Sequence, residues 1–272
     1  MLDVFIQMFS HSFMVRALLA GSAVALCAAL LGVSLVLKRY SMIGDGLSHV
    51  SFGTMAIALA FNWAPLQVSV PIVILAAFLL LRISQNSKIN GDAAIAMIST
   101  SAIAVGVIAM NFSSGLNADI NSLMFGSILA MTAEDVRLSV MLCLVVFALF
   151  ILFYDQIFAI TFDENFAKAT GVKVGLFNML VALLAAVTIV LGMRIMGTML
   201  ISSLIIFPAL SSMRVFVSFR GVILSSAALS LVCFFLGLAA SFAFNTSPGA
   251  SVVVVNGAAF LLFSLVGFVL RR

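Results

Sequence analysis

Charged residues are scarce in this chain of 272 residues: 8% are Asp, Glu, Lys or Arg, 64% are hydrophobic, and the mean hydropathy is +1.33. Soluble globular domains carry about 25% charged residues. No polar stretch is long enough to fold as a separate soluble domain. The apolar runs are continuous and long enough to cross a bilayer as helices, and they lack the alternation of barrel strands. The composition therefore predicts an all-α fold, a single integral membrane domain over residues 1–272.

Motifs of enzymes and cofactor sites are also missing. The chain has no GxxxxGK[ST] sequence, so we do not expect it to bind ATP at a P-loop. It has no HExxH and no GxSxG motif, and one of its two histidines, His11, lies near the end of the first apolar segment. The three cysteines, Cys27, Cys143 and Cys233, stand singly within apolar segments. This spacing suggests neither a disulfide nor a thiolate metal site, and the chain is not expected to be an enzyme.

Nine segments are long and apolar enough to span a membrane, or eight if the short segment 197–213 is re-entrant. The predicted spans are 13–37, 43–61, 64–82, 93–111, 138–158, 176–193, 197–213, 221–243 and 251–270. Alternating sides then places ten of the 13 basic residues on one side, and only Arg16, Arg137 and Arg194 on the other. Cytoplasmic loops are enriched in Lys and Arg, so we expect an external N-terminus and a cytoplasmic C-terminus. This asymmetry explains the net charge of +4 without a nucleic-acid partner.

Two polar residues near the start of the second segment are the strongest candidates for a functional site. Asp45 and His49 are four residues apart, so on a helix they share one face. An aspartate at the centre of a bilayer helix costs about 2.5–3.5 kcal/mol on insertion scales, and such residues generally mark a functional site. A carboxylate with an imidazole suits a divalent transition metal. The alternative is a helix-start aspartate bonded to a buried histidine without a ligand. Gly53, one step along the same face, would permit close packing beside the site.

The loop from Thr161 to Gly175 predicts a short cytoplasmic helix. Thr161 and Glu164 match a capping box, and Gly171 is placed as the C-terminal stop. Phe162, Phe166 and Ala169 would then form an exposed apolar face, which is typical of a docking site. An amphipathic helix resting among lipid headgroups is the alternative.

A second long loop, 112–137, lies on the external side. Thr132 and Asp135 predict an N-terminal cap of the helix that follows. The apolar piece Ser122–Met131 predicts either a half-helix dipping into the outer leaflet or an interfacial helix on the surface.

Taken together, the chain resembles the ZnuB-like family, the membrane permeases of ATP-binding cassette importers for zinc and manganese. The resemblance covers nearly the whole length and depends on the order and spacing of several stretches. These are Gly44–His49, Asp92–Ile95, Leu123–Leu129, Thr132–Asp135, Asp163–Val172, Gly197–Ala209 and Thr246–Gly249.

The resemblance implies a type II importer-like fold in a bacterial-type plasma membrane. It also implies a homodimer, two cytoplasmic ATPase subunits and an external metal-binding protein. Asp45 and His49 would be the metal-handling pair inside the membrane. The segment that docks into the ATPase would comprise Phe162, Asp163, Glu164, Phe166, Ala167, Gly171 and Val172.

In a two-fold dimer, two such pairs would supply the four ligands of a tetrahedral zinc ion. Zinc is therefore the first expected cargo and manganese the second, since carboxylate and imidazole accept both. Two other functions use similar features. A proton-coupled secondary metal transporter would use Asp45 and His49 as a relay, and a permease for a siderophore or corrinoid would need a wider, more neutral pathway.

Overall fold

Helices make up almost all of the computed structural model, which describes residues 12–86, 91–112, 124, 126 and 132–270. No β-strand occurs in these residues. The described residues contain nine long helices, and two short helices follow the fifth. In chain order they are α1 Ser12–Leu37, α2 Ser41–Ala60, α3 Pro65–Asn86, α4 Gly91–Phe112, α5 Ala133–Leu152, α6 Tyr154–Phe162, α7 Glu164–Ala169, α8 Val174–Met196, α9 Thr198–Val215, α10 Phe219–Phe244 and α11 Pro248–Leu270.

Each of the nine predicted spans coincides with one long helix, which confirms the all-α membrane fold. Eight of these helices are long and apolar enough to cross a membrane by length and composition. The exception is α2, which carries Asp45 and His49 among several Gly and Ser residues.

One predicted boundary is wrong. The predicted span 138–158 extends too far, because α5 stops at Leu152 and a separate helix, α6, begins at Tyr154. The break falls at Phe153, and no glycine or proline marks it in the sequence. The half-helix predicted for 122–131 lies outside the described residues, apart from Met124 and Gly126.

The interior of the bundle is built around α1 and α8. Helix α1 packs against α5, α8, α9 and α10, and α2 packs between α3 and α4 while also touching α8 and α9. Small residues line α1, and a Cβ added at Gly32 would lie 2.1 Å from the carbonyl oxygen of Ile205. Such contacts let helix backbones approach closely. By contrast, α4, α5 and α11 expose large apolar side chains outward, as helices in contact with lipid do.

Two local signals define helix ends in this bundle. Gly197 is the only residue between α8 and α9, and its φ of +83° favours glycine at this reversal. At the start of α5, the predicted cap is confirmed. The Thr132 hydroxyl accepts from the Asp135 backbone N–H at 3.1 Å, and the Asp135 carboxylate accepts from the Thr132 N–H at 3.1 Å.

Candidate metal site

The structure places Asp45 and His49 on the same face of α2. His49 Nε2 lies 3.6 Å from Asp45 Oδ2, and the two side chains are 29% and 39% exposed. Their neighbours along α2 are buried, namely Gly44, Gly46, Leu47, Ser48 and Val50. Helix α2 is therefore open at this pair while most of its length is packed against neighbouring helices.

A third polar side chain, Ser202 of α9, completes the geometry. Its hydroxyl donates a hydrogen bond to Asp45 Oδ1 at 2.8 Å, so Oδ2 is the oxygen nearer to His49. On α2 itself, the Ser48 hydroxyl donates to the Asp45 carbonyl at 2.7 Å and lies 3.4 Å from the Ser202 hydroxyl. The carboxylate is thus held from one side, with its second oxygen turned toward the imidazole.

The contact with Ser202 also locates the pair along the bundle. Ser202 precedes the end of α9 at Val215 by 13 residues. At 1.5 Å per residue this is about 20 Å of helix. Asp45 is the fifth residue of α2 and Ser202 is the fifth residue of α9, so the pair lies beside the first turns of both helices and far from the end of α9 at Val215.

One chain supplies an incomplete metal site. Among the described residues, no group of three or more His, Cys, Asp or Glu side chains could hold a metal ion. Asp45 and His49 provide one oxygen ligand and one nitrogen ligand, and tetrahedral sites take four. The remaining ligands of any ion held here would have to come from hydroxyls such as Ser202, from water, or from a second chain.

Glycines bring α2 into close contact with α4 beside this pair. A Cβ added at Gly53 would lie 2.4 Å from the carbonyl oxygen of Ala102, and one at Gly46 would lie 2.6 Å from the Ile95 side chain. Gly106 of α4 faces Gly53 in turn. Backbone atoms cannot yield as a flexible side chain can, so Gly53 fixes the spacing of the two helices.

The segment from Phe162 to Val172 forms the end of α6, the whole of α7 and a tight turn. The predicted Thr161 cap is wrong, because the Asp163 carboxylate accepts from the N–H groups of Asn165 and Phe166, and the Thr161 hydroxyl instead bonds Ile157 O. Gly171, with φ +85°, ends the helix as predicted, since its N–H bonds Lys168 O and that of Val172 bonds Ala167 O.

This segment presents aromatic side chains to the exterior. Phe162 and Phe166 are 58% and 63% exposed, whereas Ala167 is fully buried and anchors α7. Phe162 also packs edge-on against Phe219 of α10, with ring centroids 5.6 Å apart. The surface therefore has two exposed aromatic rings on a well-anchored helix.

A partly buried ion pair joins α7 to the turn before α2. Lys38, with a side chain only 6% exposed, lies 2.7 Å from Glu164 Oε1. Burial lowers the pKa of Lys38 below its ordinary value, and the Glu164 carboxylate opposes this shift. Partial burial acts to raise the pKa of Glu164, but hydrogen bonds from Lys38 and Asn178 outweigh it and hold that pKa below its ordinary value.

Sequence reasoning missed Ser202, Asn178 and the role of Lys38. Ser202 lies within a stretch noted only for its overall pattern, and Lys38 was counted only as one of the basic residues of one side. Asn178 offered a signal, because an amide in an apolar helix generally requires a partner.

Comparisons with known proteins cover nearly the whole chain. The sequence model described as "ABC 3 transport family" matches residues 10–267. The manganese import system permease protein ScaB of Streptococcus gordonii is 28% identical over 96% of this chain and 94% of its own length. The manganese transport system membrane protein MntC of Halalkalibacterium halodurans is 26% identical over 95% of this chain and 88% of its own length.

The fold also matches a solved structure. PsaBC from Streptococcus pneumoniae, in complex with Fab, superposes with a TM-score of 0.86 at 27% identity. The match covers 96% of this chain and 94% of the matched chain.

Proposed function

The chain belongs to the ABC 3 transport family, and on that premise we propose that it is the permease subunit of an importer that carries a divalent transition metal into the cytoplasm. The observation that carries this proposal is the Asp45–His49 pair, which opens from α2 in an otherwise apolar bundle and is bonded to Ser202 of α9. A carboxylate and an imidazole in such a place are costly unless they have a ligand or a solvated path.

The metal ligands are proposed to be shared between two chains. A two-fold dimer presents the same face twice. If the open faces of α2 meet across the axis, two carboxylates and two imidazoles surround one ion, and the Ser202 hydroxyls orient the carboxylates. Such a cage is temporary by design, because moving the two halves apart separates the ligand pairs and releases the ion.

The energy for this movement is proposed to come from a separate ATPase chain. The chain's own sequence has no P-loop, and Phe162 at the end of α6 and Phe166 of α7 are exposed on an anchored surface. Exposed aromatic side chains of this kind are frequent anchors at protein interfaces. We propose that this side of the bundle is cytoplasmic and that an external metal-binding protein delivers cargo to the opposite side.

Manganese is the cargo that we now propose first, with zinc second. The sequence alone favoured zinc, because two Asp–His pairs would supply the four ligands of a tetrahedral zinc site. The names of two relatives, both manganese systems, support the other order. The oxygen-rich surroundings of the pair, with Ser202 beside Asp45, also suit manganese.

The test is accumulation of radioactive manganese in cells that express the permease with its ATPase and binding protein. We expect His49→Ala to abolish uptake while Leu75→Ala, at an exposed position of α3, leaves it intact. Competition with unlabelled zinc and manganese would rank the two metals. Normal uptake by His49→Ala would contradict the proposed site, and uptake without any ATPase would point to the proton-coupled alternative.

A further inference from the structure

A buried cation joins several elements of the bundle close to the candidate metal site. The Lys38 ammonium has three N–H donors, and each has an acceptor. The acceptors are Ile160 O at 3.1 Å, Glu164 Oε1 at 2.7 Å and Asn178 Oδ1. The Asn178 amide also donates to Glu164 Oε1 at 3.1 Å. The three side chains therefore form a closed network in which every donor of Lys38 is used.

Each partner of Lys38 lies on a different element. Ile160 is in the last turn of α6, where helix carbonyls lack an intrahelical partner, and a cation is favoured there. Glu164 opens α7, and Asn178 is a buried residue of α8. Lys38 thus fastens the α6–α7 segment both to α8 and to the turn that precedes α2.

The turn that carries Lys38 is itself tightly bonded. The Tyr40 N–H bonds Leu35 O at 2.7 Å, and the Arg39 N–H bonds Val36 O at 3.0 Å. Arg39 has φ +60°, a conformation that residues other than glycine rarely adopt, so the surrounding bonds must impose it. The Ile43 N–H then bonds Tyr40 O at 3.0 Å, which makes the turn continuous with the start of α2.

Asp45 follows Lys38 by seven residues along this stiff path. The backbone between Lys38 and the start of α2 is therefore one continuous hydrogen-bonded stretch. A cavity of about 20 Å³ lies between this part of α2 and α8, lined among others by Lys38, Gly44 and Asn178. It could hold roughly one water molecule, so α2 is not close-packed against α8 at this point.

We propose that the Lys38–Glu164–Asn178 network couples movement of α7 to the position of Asp45. The proposal rests on the function given above, in which α7 docks the ATPase and Asp45 is a metal ligand. Lys38, Glu164 and Asn178 are positioning residues here, since none of them touches the proposed metal site. While the network is intact, α7 and the start of α2 move as one unit.

A purely structural role for the network makes a different prediction. A buried lysine with three acceptors stabilises the fold whether or not it transmits motion. Its loss would then lower stability, but each ATP hydrolysed would still import as much metal as before. The ratio of ATP hydrolysed to metal imported therefore separates the two roles.

The experiment uses the permease with its ATPase and binding protein, reconstituted in lipid vesicles. Lys38→Met removes the cation and keeps an apolar stem of similar length, and Asn178→Leu removes one acceptor with little change in shape. Lys173→Met is the control, because Lys173 is exposed on the same side of the bundle and lies outside the docking segment. ATP hydrolysis, manganese uptake and recovery of the ATPase with the permease are measured for each.

We expect Lys38→Met and Asn178→Leu to keep the ATPase bound and to hydrolyse ATP, but to use about tenfold more ATP per ion, within the 5–150-fold range of typical coupling. The control should match the wild type. An unchanged ratio in both variants, or loss of the ATPase from both, would overturn the proposal. If Lys38→Met does not assemble, the ratio in Asn178→Leu decides. Failure of the wild type to import manganese or zinc would refute the proposed function itself.

Discussion

Ser202 shows how a residue without charge can control a charged site. Its hydroxyl, on α9, donates a hydrogen bond of 2.8 Å to one carboxylate oxygen of Asp45 on α2. This bond determines which oxygen of Asp45 faces His49. Groups that orient a metal ligand in this way typically contribute 10–100-fold to metal affinity. In this chain the same bond also joins α9 to α2, which links the geometry of the pair to the packing of both helices.

We therefore expect Ser202→Ala to weaken manganese binding by roughly tenfold or more, because Asp45 loses the partner that orients it. Isothermal titration of the purified permease with manganese would measure the change. Ser203→Ala is the matched control. The Ser203 hydroxyl, next to Ser202 in the sequence, is buried and has no hydrogen-bond partner among the described residues. Equal affinities for the two variants would contradict the orienting role.

At Gly53 the decisive contact is with backbone. A Cβ there would lie 2.4 Å from the Ala102 carbonyl oxygen, so Gly53→Ala must push α2 away from α4. We expect a loss of about 1–3 kcal/mol, the usual cost of overpacking. Thermal unfolding in detergent would show it as a lower melting temperature.

Gly257→Ala serves as the control for this change, since a Cβ at that position of α11 meets nothing within 4 Å. Replacing an open helical glycine by alanine should be neutral or stabilising by up to about 1 kcal/mol. A Gly53→Ala protein as stable as Gly257→Ala would show that α2 and α4 separate without cost.

At the scale of helices, long apolar runs were predictable because length and hydropathy determine them directly. Their ends depend on single hydrogen bonds, which the sequence specifies less well. The Thr132–Asp135 cap was read correctly, whereas the cap of α7 was assigned to Thr161 although Asp163 provides it. Both residues are good caps by type, and only the backbone path after α6 decides between them.

The candidate site was predictable only in part, for a related reason. Asp45 and His49 stood out because they share a helix face and carry polar groups in an apolar segment. Ser202, which bonds Asp45, and Lys38, which lies just before α2, are 157 and seven residues away from Asp45 in the sequence. Serine is common in membrane helices and lysine is common at their ends. Neither residue signals a contact until the helices are placed side by side.

The α7 element also has a pH dependence that follows from Glu164. Its pKa is held below the ordinary value, so its stabilising contribution is present above about pH 4.5 and is lost as the pH falls through the lowered pKa. Glu164→Gln cannot ionise and lacks that contribution. We expect the melting temperature of the wild type to exceed that of the variant at neutral pH, and the two to converge in acid. A difference that persists unchanged to the lowest pH would contradict this assignment.

For the whole molecule, the open face at Asp45 and His49 bears on assembly. Lipid cannot satisfy a carboxylate, so a face that is 39% and 29% exposed at these two residues requires a polar or protein neighbour. A second copy supplies both a cover and the missing ligands, whereas a solvated path supplies only water. These two arrangements differ in how many ions a dimer holds and in what one defective chain does to its partner.

Mixed dimers provide the test of a shared site. Two differently tagged chains, one wild type and one His49→Ala, are purified together by sequential affinity steps, and manganese binding is measured by titration. If the ion lies between the chains, the wild-type dimer binds one ion per two chains. Every mixed dimer then lacks one of the four ligands, so we expect it to bind manganese more weakly than the wild type. If each chain binds its own ion, mixed dimers keep half the sites at full affinity. Full affinity at half capacity would therefore rule out the shared cage while leaving Asp45 and His49 as ligands within one chain.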